Sequence, residues 1–204
     1  MLRIYLARHG QDEDNVNGVL NGRRDKPLTQ IGIFQAQTLA FSMIDLGLTF
    51  DAVYCSPLKR VRQTARISCD NLGIVKPIVL PDLIERDFGI MTGQPIESIP
   101  SLSSDLLVTD TITYFITAEG AETFPSLYNR ARRVLAIIRA LHSDGSVLLV
   151  THGDIGKMIY AAFYNLEWMK VLSMFHFGNS ELLLLEEGLN PEEAHIVKIE
   201  QHNL

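Results

Sequence analysis

The sequence predicts an α/β protein, a three-layer α/β/α sandwich in which helices cover both faces of a mainly parallel, mixed sheet with a lid insertion. Short apolar runs alternate with segments of helical periodicity, which is the pattern of a parallel sheet with crossover helices. The stretch over residues 87–123 lacks that order. A length of 204 residues suits one large α/β domain. We therefore expect a single domain over 1–204 with an insertion at about 87–123.

The first elements are a strand, a loop and a helix. Residues 2–7 form a short apolar run that is typical of a buried strand. A loop rich in Asn, Asp and Gly follows over 11–27. Apolar residues then recur at helical spacing over 29–46, with Thr29 suited to the N-cap and Gly47 to the stop.

A second strand and helix follow in the same order. Residues 51–55 predict a strand, and Ser56-Pro57 leads into a helix that runs to about Cys69. Pro57 suits the first helical position, where its missing N–H would be unpaired anyway. Residues 74–80 predict a third strand.

The remaining elements repeat this alternation around the irregular stretch. Helices are predicted over 125–141 and 154–164, with a strand over 146–150 between them. Residues 181–186 and 194–200 indicate two closing strands. The stretch 87–123 contains Ser, Thr, Pro and Gly, with apolar patches at 106–108 and 114–116. Irregular segments of this length are usually functional, so we expect a lid over the sheet.

Composition limits the classes of function. The formal net charge is −6 and no run is rich in Lys or Arg, so nonspecific nucleic-acid binding is not expected. No segment is apolar for long enough to cross a bilayer, and Arg3, Arg8 and His9 interrupt the first apolar stretch, which argues against a signal peptide. Cys55 and Cys69 indicate reduced thiols. We expect a cytoplasmic protein without membrane partners; its oligomeric state is not determined, and a homodimer is allowed.

Four predicted strand ends carry chemically active side chains. His9 follows the first strand, Arg60 the second, Glu85 the third and His152 the fourth. The carboxyl ends of parallel strands meet at one edge of a sheet, where such folds bind ligands. Two histidines, a glutamate and arginines are therefore predicted to converge at this edge.

These residues lie in four ordered blocks that resemble the histidine phosphatase superfamily. The blocks are Arg8-His9-Gly10 followed by Asn15, Ser56-Pro57-Leu58-Lys59-Arg60 with Gln63-Thr64-Ala65, Leu83-Ile84-Glu85-Arg86-Asp87-Phe88-Gly89, and Thr151-His152-Gly153. The family includes cofactor-dependent phosphoglycerate mutases, the bisphosphatase domain that acts on fructose 2,6-bisphosphate, and broad-specificity phosphatases. The resemblance extends from Leu2 to about Glu187. It implies a phosphoglycerate mutase-like fold and a small phosphorylated substrate.

The resemblance also implies a role for each residue. His9 is expected to be the nucleophile that receives the phosphoryl group, and Glu85 the proton donor to the leaving group. A neutral imidazole is nucleophilic near pH 7, and the planar fork of arginine matches phosphate oxygens. The phosphate pocket is expected to contain Arg8, Arg60, His152, Gly10 and Asn15, with Asn179 and Glu122 from two looser matches at its rim.

Two features depart from the family pattern. The third position after the nucleophile is usually Ser or Thr, and here it is Asp12. An ionised carboxylate cannot donate a hydrogen bond to phosphate and repels it, so either Asp12 points away or phosphate binds more weakly. There is also no Lys or Arg between Arg86 and Arg130, where the mutases carry further basic residues. This absence favours a substrate with an apolar or neutral body.

The same side chains allow other interpretations. His9, His152 and Glu85 match a two-histidine, one-carboxylate metal site, but the positive charge of the flanking arginines opposes a divalent cation. Four residues separate Cys55 from Arg60, whereas cysteine phosphatases have five. Three functions stay open: a phosphomonoesterase, a mutase and a non-catalytic phosphoryl-binding module. We expect the first, with no metal and no cofactor.

Overall fold

The computed structural model, which describes residues 1–203, has a six-stranded sheet as its middle layer. In chain order the strands of this part are β1 (Leu2–Arg8), β2 (Ala52–Cys55), β3 (Ile78–Val79), β4 (Leu106–Val108), β5 (Thr113–Phe115), β6 (Gly145–Thr151), β7 (Leu182–Leu185) and β8 (His195–Val197). The sheet has the order β3-β2-β6-β1-β7-β8, and β4 and β5 form a separate hairpin. Strands β3, β2, β6 and β1 are parallel, β7 pairs antiparallel with β1, and β8 pairs antiparallel with β7 and so runs in the direction of β1. The predicted mixed, mainly parallel sheet is therefore confirmed.

Helices cover both faces of this sheet. In chain order they are α1 (Glu13–Val16), α2 (Gln30–Asp45), α3 (Lys59–Leu72), α4 (Ile99–Leu102), α5 (Phe124–Leu141), α6 (Gly153–Phe163) and α7 (Trp168–Met174). Strand β1 shows how one apolar run serves two cores, because successive side chains of a strand point to opposite faces. Ile4 and Leu6 pack with α5, α6 and α7, and Tyr5 and Ala7 pack with α2 and α3. The three-layer sandwich is confirmed. None of the helices in residues 1–203 is long and apolar enough to cross a membrane.

Two helices begin where side-chain caps are available. The hydroxyl of Thr29 accepts a hydrogen bond from the backbone N–H of Gly32, which makes Thr29 the N-cap of α2 as predicted. Thr123 caps α5 in the same way through the N–H of Ser126. Gly47, with φ of +66°, lies two residues beyond the last residue of α2. Local capping therefore explains why these boundaries were predictable.

Helix α3 begins later than predicted. Its first residue is Lys59, and Leu58 before it is extended, with φ of −72° and ψ of 143°. Pro57 is therefore not at the first helical position, and that prediction was wrong. The hydroxyl of Ser56 accepts the N–H of Leu58 at 3.4 Å, a local bond that competes with helix formation. The delay places Arg60 in the first turn, directly above the strand end.

The third strand is much shorter than the predicted run over 74–80. Only Ile78 and Val79 pair with β2, and both side chains are about half exposed. Gly73 ends α3 in the left-handed conformation, and Pro77 has no N–H to donate. An apolar run interrupted in this way forms a short edge strand.

The lid segment over 87–123 is more ordered than the sequence indicated. It contains α4, two short 3-10 turns and the β4–β5 hairpin. The apolar patches at 106–108 and 114–116 supply the two strands of that hairpin. Phe88, Met91, Ile99 and Phe115 form a small core of their own. This segment is thus packed by apolar side chains, although no helical or strand period was visible in its sequence.

Candidate active site

Strands β1 and β6 bring the two histidines side by side. Arg8 lies opposite Thr151 in the parallel register, and the backbone N–H of His9 donates to the carbonyl of Thr151 at 3.0 Å. The ring centroids of His9 and His152 are 5.2 Å apart. Both side chains are buried. The predicted convergence at the carboxyl edge is therefore present for this pair.

His9 is held with one ring nitrogen available. Its Nδ1 is 2.6 Å from the carbonyl oxygen of Gly10, which can only accept, so Nδ1 carries the hydrogen and Nε2 has a lone pair. Burial, together with the charges of Arg60 and Arg8, lowers the pKa of His9 well below its usual value. The imidazole is therefore neutral and nucleophilic near pH 7.

Gly10 is required by packing against a neighbouring helix. A Cβ at this position would collide with the backbone carbonyl of Gly32 in α2. Its N–H donates to the hydroxyl of Thr64 at 3.1 Å. The space that glycine leaves is thus filled by the backbone of α2, which fixes the loop directly after His9.

Arg60 links both histidines to the loop after α1. Its Nε donates to Nε2 of His9 at 3.1 Å, and its Nη2 is 3.1 Å from Nδ1 of His152. The guanidinium also donates to the carbonyls of Arg24, at 2.6 Å, and Gly22, at 2.8 Å. Arg60 has no exposed surface. The loop is therefore fastened over the histidines by the same arginine that faces them.

Asp12 does not point away from this cluster. Its Oδ2 is 3.2 Å from Nε of Arg60 and accepts a bond from the amide of Asn21 at 2.8 Å. Its Oδ1 accepts the N–H of Asn15 at 2.8 Å, which makes Asp12 the N-cap of α1. Burial raises the pKa of Asp12, and the charge of Arg60 opposes that rise. The residue that departs from the family pattern is thus a buried ion-pair partner of Arg60.

Glu85 lies at the amino end of α6. Its Oε1 accepts the N–H groups of Arg86 at 2.8 Å and Ile155 at 3.1 Å, and its Oε2 accepts that of Asp154 at 3.2 Å. Burial and the nearby charge of Asp154 raise the pKa of Glu85. A carboxyl group with a raised pKa retains its proton closer to neutral pH, which is what a proton donor needs.

The backbone carbonyl of Glu85 is held by two arginines. Nε of Arg23 donates to it at 3.1 Å, and Nη2 of Arg130 at 3.3 Å. Oε2 of Glu122 accepts hydrogen bonds from Nη2 of Arg23 at 3.2 Å and from Nη2 of Arg130 at 2.7 Å. Although burial opposes ionisation, the hydrogen bonds and charge of Arg130 lower the pKa of Glu122. Glu122 is therefore a support for the Glu85 segment.

Arg8 and Asn15 face a cavity next to the histidines. Arg8 donates from Nη1 to the carbonyl of Phe177 at 2.7 Å, and within residues 1–203 its buried Nε has no hydrogen-bond partner. The inner cavity has a volume of about 150 Å³, and an outer cavity of about 710 Å³ shares part of its wall. The shared residues are Arg8, Asn15, Ile96, Ile112 and Thr113.

The predicted residues differ in their access to these cavities. Glu85 lines the inner cavity, whereas His9, Arg60 and His152 are buried outside its lining. Asn179 also lies outside it, and its amide donates to the carbonyl of His9 at 3.0 Å. Residues 1–203 contain no group of three or more His, Cys, Asp or Glu side chains arranged to hold a metal ion.

A family model identifies the chain. The model of the histidine phosphatase superfamily (branch 1) matches residues 4–199. The chain belongs to that superfamily. An adenosylcobalamin/alpha-ribazole phosphatase from Salmonella typhimurium is 30% identical over 184 residues, which cover 86% of this chain and 85% of the relative. A probable phosphoglycerate mutase from Yersinia pestis is 32% identical over 161 residues, covering 75% and 70%.

Solved structures agree with this assignment. The product of an open reading frame of Mycobacterium tuberculosis superposes with a TM-score of 0.77 at 25% identity, covering 92% of this chain and 93% of that one. The predicted family and fold are therefore confirmed. The relatives include both a phosphatase and a probable mutase, so membership of the superfamily does not by itself identify the reaction or the substrate.

A further side chain at the inner cavity, that of Lys157, was not predicted from the sequence. Lys157 on α6 lines the inner cavity, donates to the carbonyl of Leu172 at 2.8 Å and lies over the rings of Tyr114 and Phe175. Burial lowers its pKa to about 8. Its position three residues after Asp154, on one face of a helix that starts at the carboxyl edge of the sheet, was the available signal.

The cysteine interpretation finds no support in the site. Cys55 and Cys69 are buried free thiols, and burial raises the pKa of each to about 11. A thiol with so high a pKa is protonated near neutral pH and is a poor nucleophile.

Proposed function

We propose that the protein is a phosphomonoesterase that transfers the phosphoryl group of its substrate to Nε2 of His9 and then to water. The observation that carries the proposal is the state of His9: a buried, neutral imidazole whose unprotonated Nε2 faces the guanidinium of Arg60 at 3.1 Å. A nucleophile next to a fixed positive group is the arrangement that phosphoryl transfer requires.

The reaction has two steps. In the first, Nε2 of His9 attacks phosphorus, the ester P–O bond breaks, and Glu85 gives its proton to the departing oxygen. Arg8, Arg60 and Asn15 bind the phosphoryl oxygens, which replace Nε2 of His9 as the acceptor of the Arg60 Nε–H. In the second step, Glu85 takes a proton from water, the water oxygen attacks phosphorus, and the P–N bond breaks. Orthophosphate leaves and His9 is regenerated.

Hydrolysis is favoured over mutase chemistry by the walls of the outer cavity. They carry two carboxylates, Glu97 and Asp110, and among the described lining residues Arg8 is the one Lys or Arg. His176 also lines this cavity, and burial together with Arg8 lowers its pKa to about 4, so it is neutral. A bisphosphorylated intermediate would meet negative charge there, whereas an uncharged substrate body would not.

The substrate class follows from the same walls. We propose a small phosphate monoester whose body is uncharged or cationic and carries polar groups. Thr111 and Thr113 offer hydroxyl groups to such a body, and Ile96 and Ile112 offer apolar surface. The alpha-ribazole phosphatase activity named for the Salmonella relative is compatible with this class. The free thiols of Cys55 and Cys69 support a reducing compartment such as the cytoplasm.

The first experiment is hydrolysis of an aryl phosphate by the wild type, His9→Ala and His142→Ala, with a chelator present. His142 ends α5 at the opposite edge of the sheet and serves as the matched control. We expect metal-independent turnover that His142→Ala retains and His9→Ala loses, together with an acid-labile phosphoenzyme in the wild type. Near-native turnover by a folded His9→Ala variant would refute the mechanism.

A further inference from the structure

We propose that Asn203 is a positioning residue for the phosphate site, because it acts through Asn179 to fix the direction in which the amide of Asn15 donates. The inference deepens the proposed function, since it takes phosphate as the ligand that Asn15 meets. Asn203 belongs to a tail that follows β8 and returns to the carboxyl edge of the sheet.

Three asparagine amides are joined in series. Nδ2 of Asn203 donates to Oδ1 of Asn179 at 2.8 Å. Nδ2 of Asn179 then donates to Oδ1 of Asn15 at 3.1 Å. Asn179 is fully buried, so its amide has no access to solvent.

Backbone groups determine which way each amide points. A carbonyl oxygen can only accept, and Nδ2 of Asn179 lies 3.0 Å from the carbonyl of His9. A backbone N–H can only donate, and that of Asp12 lies 3.3 Å from Oδ1 of Asn15. The remaining group of Asn15, its Nδ2, must therefore point away from both neighbours. Within residues 1–203 it has no hydrogen-bond partner, and Asn15 lines both cavities beside Arg8.

The outer end of the series is anchored in the same manner. Oδ1 of Asn203 accepts from Nε2 of Gln11 at 3.2 Å, and that Nε2 also donates to the carbonyl of His202 at 2.8 Å. Oε1 of Gln11 accepts from the hydroxyl of Thr29 at 2.7 Å. All the amide dipoles from Gln11 to Asn15 thus run in one direction, and hydrogen bonds in such a series polarise one another.

The tail also fixes the backbone of the middle residue. Oε1 of Gln201 accepts the N–H of Asn179 at 2.7 Å, and its Nε2 donates to the carbonyl of Asn179 at 3.2 Å. Asn179 is therefore held on both sides by the tail and presents its amide to His9 and Asn15. The structure assigns both residues a supporting role, because Asn179 contacts Asn15 directly and Asn203 contacts Asn179.

Asn203→Asp is the variant that reverses the series. Its carboxylate cannot donate to Oδ1 of Asn179, so it favours the flipped amide of Asn179, which in turn opposes the present orientation of Asn15. The matched control is His202→Asp, which adds the same charge at an exposed neighbouring side chain while keeping the backbone carbonyl that Gln11 uses. A milder variant, Asn203→Ala, removes the donor to Asn179 and the acceptor for Gln11 without adding a charge.

The measurement is the dissociation constant of orthophosphate by calorimetry, with the melting temperature as the check on folding. We expect Asn203→Asp to weaken binding about tenfold and Asn203→Ala about threefold, on the order of one hydrogen bond. We expect His202→Asp to change it less than about twofold, as for a screened surface charge. In a protein that already carries Asn15→Ala, Asn203→Asp should no longer change the dissociation constant of orthophosphate. In the otherwise wild-type protein, Asn203→Asp should raise KM by a larger factor than it lowers kcat.

Equal effects of Asn203→Asp and His202→Asp would overturn the proposal, because charge alone would then explain them. A full effect of Asn203→Asp in the Asn15→Ala background would overturn it as well. Orthophosphate binding is measured without turnover, so the two proposals fail separately. If the effect of Asn203→Asp depends on Asn15 as expected but the His9→Ala variant is active, only the proposed mechanism is refuted. If the His9→Ala variant is inactive but the effect of Asn203→Asp does not depend on Asn15, only the positioning role is refuted.

Discussion

Oδ2 of Asp12 lies 3.2 Å from Nε of Arg60, and neither side chain has exposed surface. The same Nε donates to Nε2 of His9 at 3.1 Å. The carboxylate therefore balances the charge of Arg60 and lies beside the N–H that points at His9. In the proposed mechanism, a phosphoryl group that binds Arg60 competes with Asp12 for its charge, so we expect this carboxylate to weaken phosphate binding.

Asp12→Asn should tighten orthophosphate binding while destabilising the protein. Removing the charge leaves Arg60 free to attract phosphate, and we expect an affinity gain of about threefold to tenfold. The new amide turns a donor toward the donors of Arg60 or Asn21, so the free energy of unfolding should fall by about 1–3 kcal/mol. Calorimetric titration and chemical denaturation measure the two effects.

The control is Asp25→Asn, because Asp25 forms an exposed pair with Lys59 and the amide keeps an oxygen that can accept the backbone N–H of Lys59. Neither orthophosphate affinity nor stability should change appreciably there. Weaker phosphate binding by Asp12→Asn would contradict the competition and would indicate that the carboxylate supports the site.

The pH dependence of kcat/KM should be shifted toward acid. His9 has a lowered pKa, so it stays neutral as the pH falls below about 6.5 and activity persists there. Glu85 has a raised pKa, and activity should decline as the pH rises through it because the proton donor is lost. Glu85→Gln should remove this alkaline decline. An acid limb at the ordinary pKa of histidine, with the ionisation of the ester allowed for, would contradict the assignment.

Charge on the substrate body should decide the rate. Glycerol 3-phosphate and 3-phosphoglycerate differ only by a hydroxymethyl group in place of a carboxylate. We expect kcat/KM to favour the glycerol ester about tenfold, and the ratio to fall to about threefold in the double variant Glu97→Gln/Asp110→Asn, since screened carboxylates act modestly. Asp105→Asn, an acid of the same lid outside both cavity walls, is the control. A preference for the glycerate would support the mutase interpretation.

The meeting of His9 and His152 at the carboxyl edge of the sheet was predictable because both residues follow strands. Parallel strands end at one edge whatever lies between them, so His9 and His152 could be brought together from periodicity alone. The order of the four sequence blocks then supported the family. Capping explains the correct start of α2 at Thr29, since the cap is a contact between near neighbours in sequence.

The contacts that support these residues were not predictable in the same way. Arg23 and Arg130 meet at the carbonyl of Glu85, and Asn203 meets Asn179, across separations that no local period encodes. Such bonds depend on the direction of single amides and guanidinium groups in the folded chain. The hairpin of the lid was missed because strands of three residues are too short to show an alternating pattern.

Acidification should destabilise the fold through its buried histidines. His9 and His152 have lowered pKa values in the folded state, so the unfolded state binds more protons once the pH falls below about 6.5. Above that pH the free energy of unfolding does not depend on these two histidines' protonation. Below it, the free energy of unfolding declines by about 1.4 kcal/mol per histidine for each pH unit. The raised pKa of Glu85 offsets part of this loss at lower pH, because the folded state then takes up its proton first.

Urea denaturation at several pH values measures this slope. His152→Gln should reduce the slope by about half if the two histidines contribute equally. His142→Ala, in which the half-buried histidine bonded to Tyr54 is removed, is the comparison. A free energy of unfolding that rises on acidification from neutral pH to about pH 5.5 would contradict the buried, neutral state of both rings.

Asp154→Asn should change both stability and the pH profile. Oδ2 of Asp154 is 2.7 Å from Nε of Arg86, a buried guanidinium stacked between the rings of Phe115 and Phe124. Removing the carboxylate leaves this cation without its counter-charge, and we expect a loss of about 3–5 kcal/mol in the free energy of unfolding. The charge of Asp154 also raises the pKa of Glu85, so the variant should move the alkaline decline of kcat/KM to lower pH.

Two variants separate these effects. Asp82→Asn removes the partner of the exposed Arg133 and should alter neither property. The double variant Arg86→Met/Asp154→Leu removes both charges, so it should recover much of the lost stability while keeping the shifted pH profile. If the double variant recovers the original pH profile, the pKa of Glu85 depends on the ion pair as a whole. If Asp154→Asn is as stable as the wild type, Arg86 has another counter-charge.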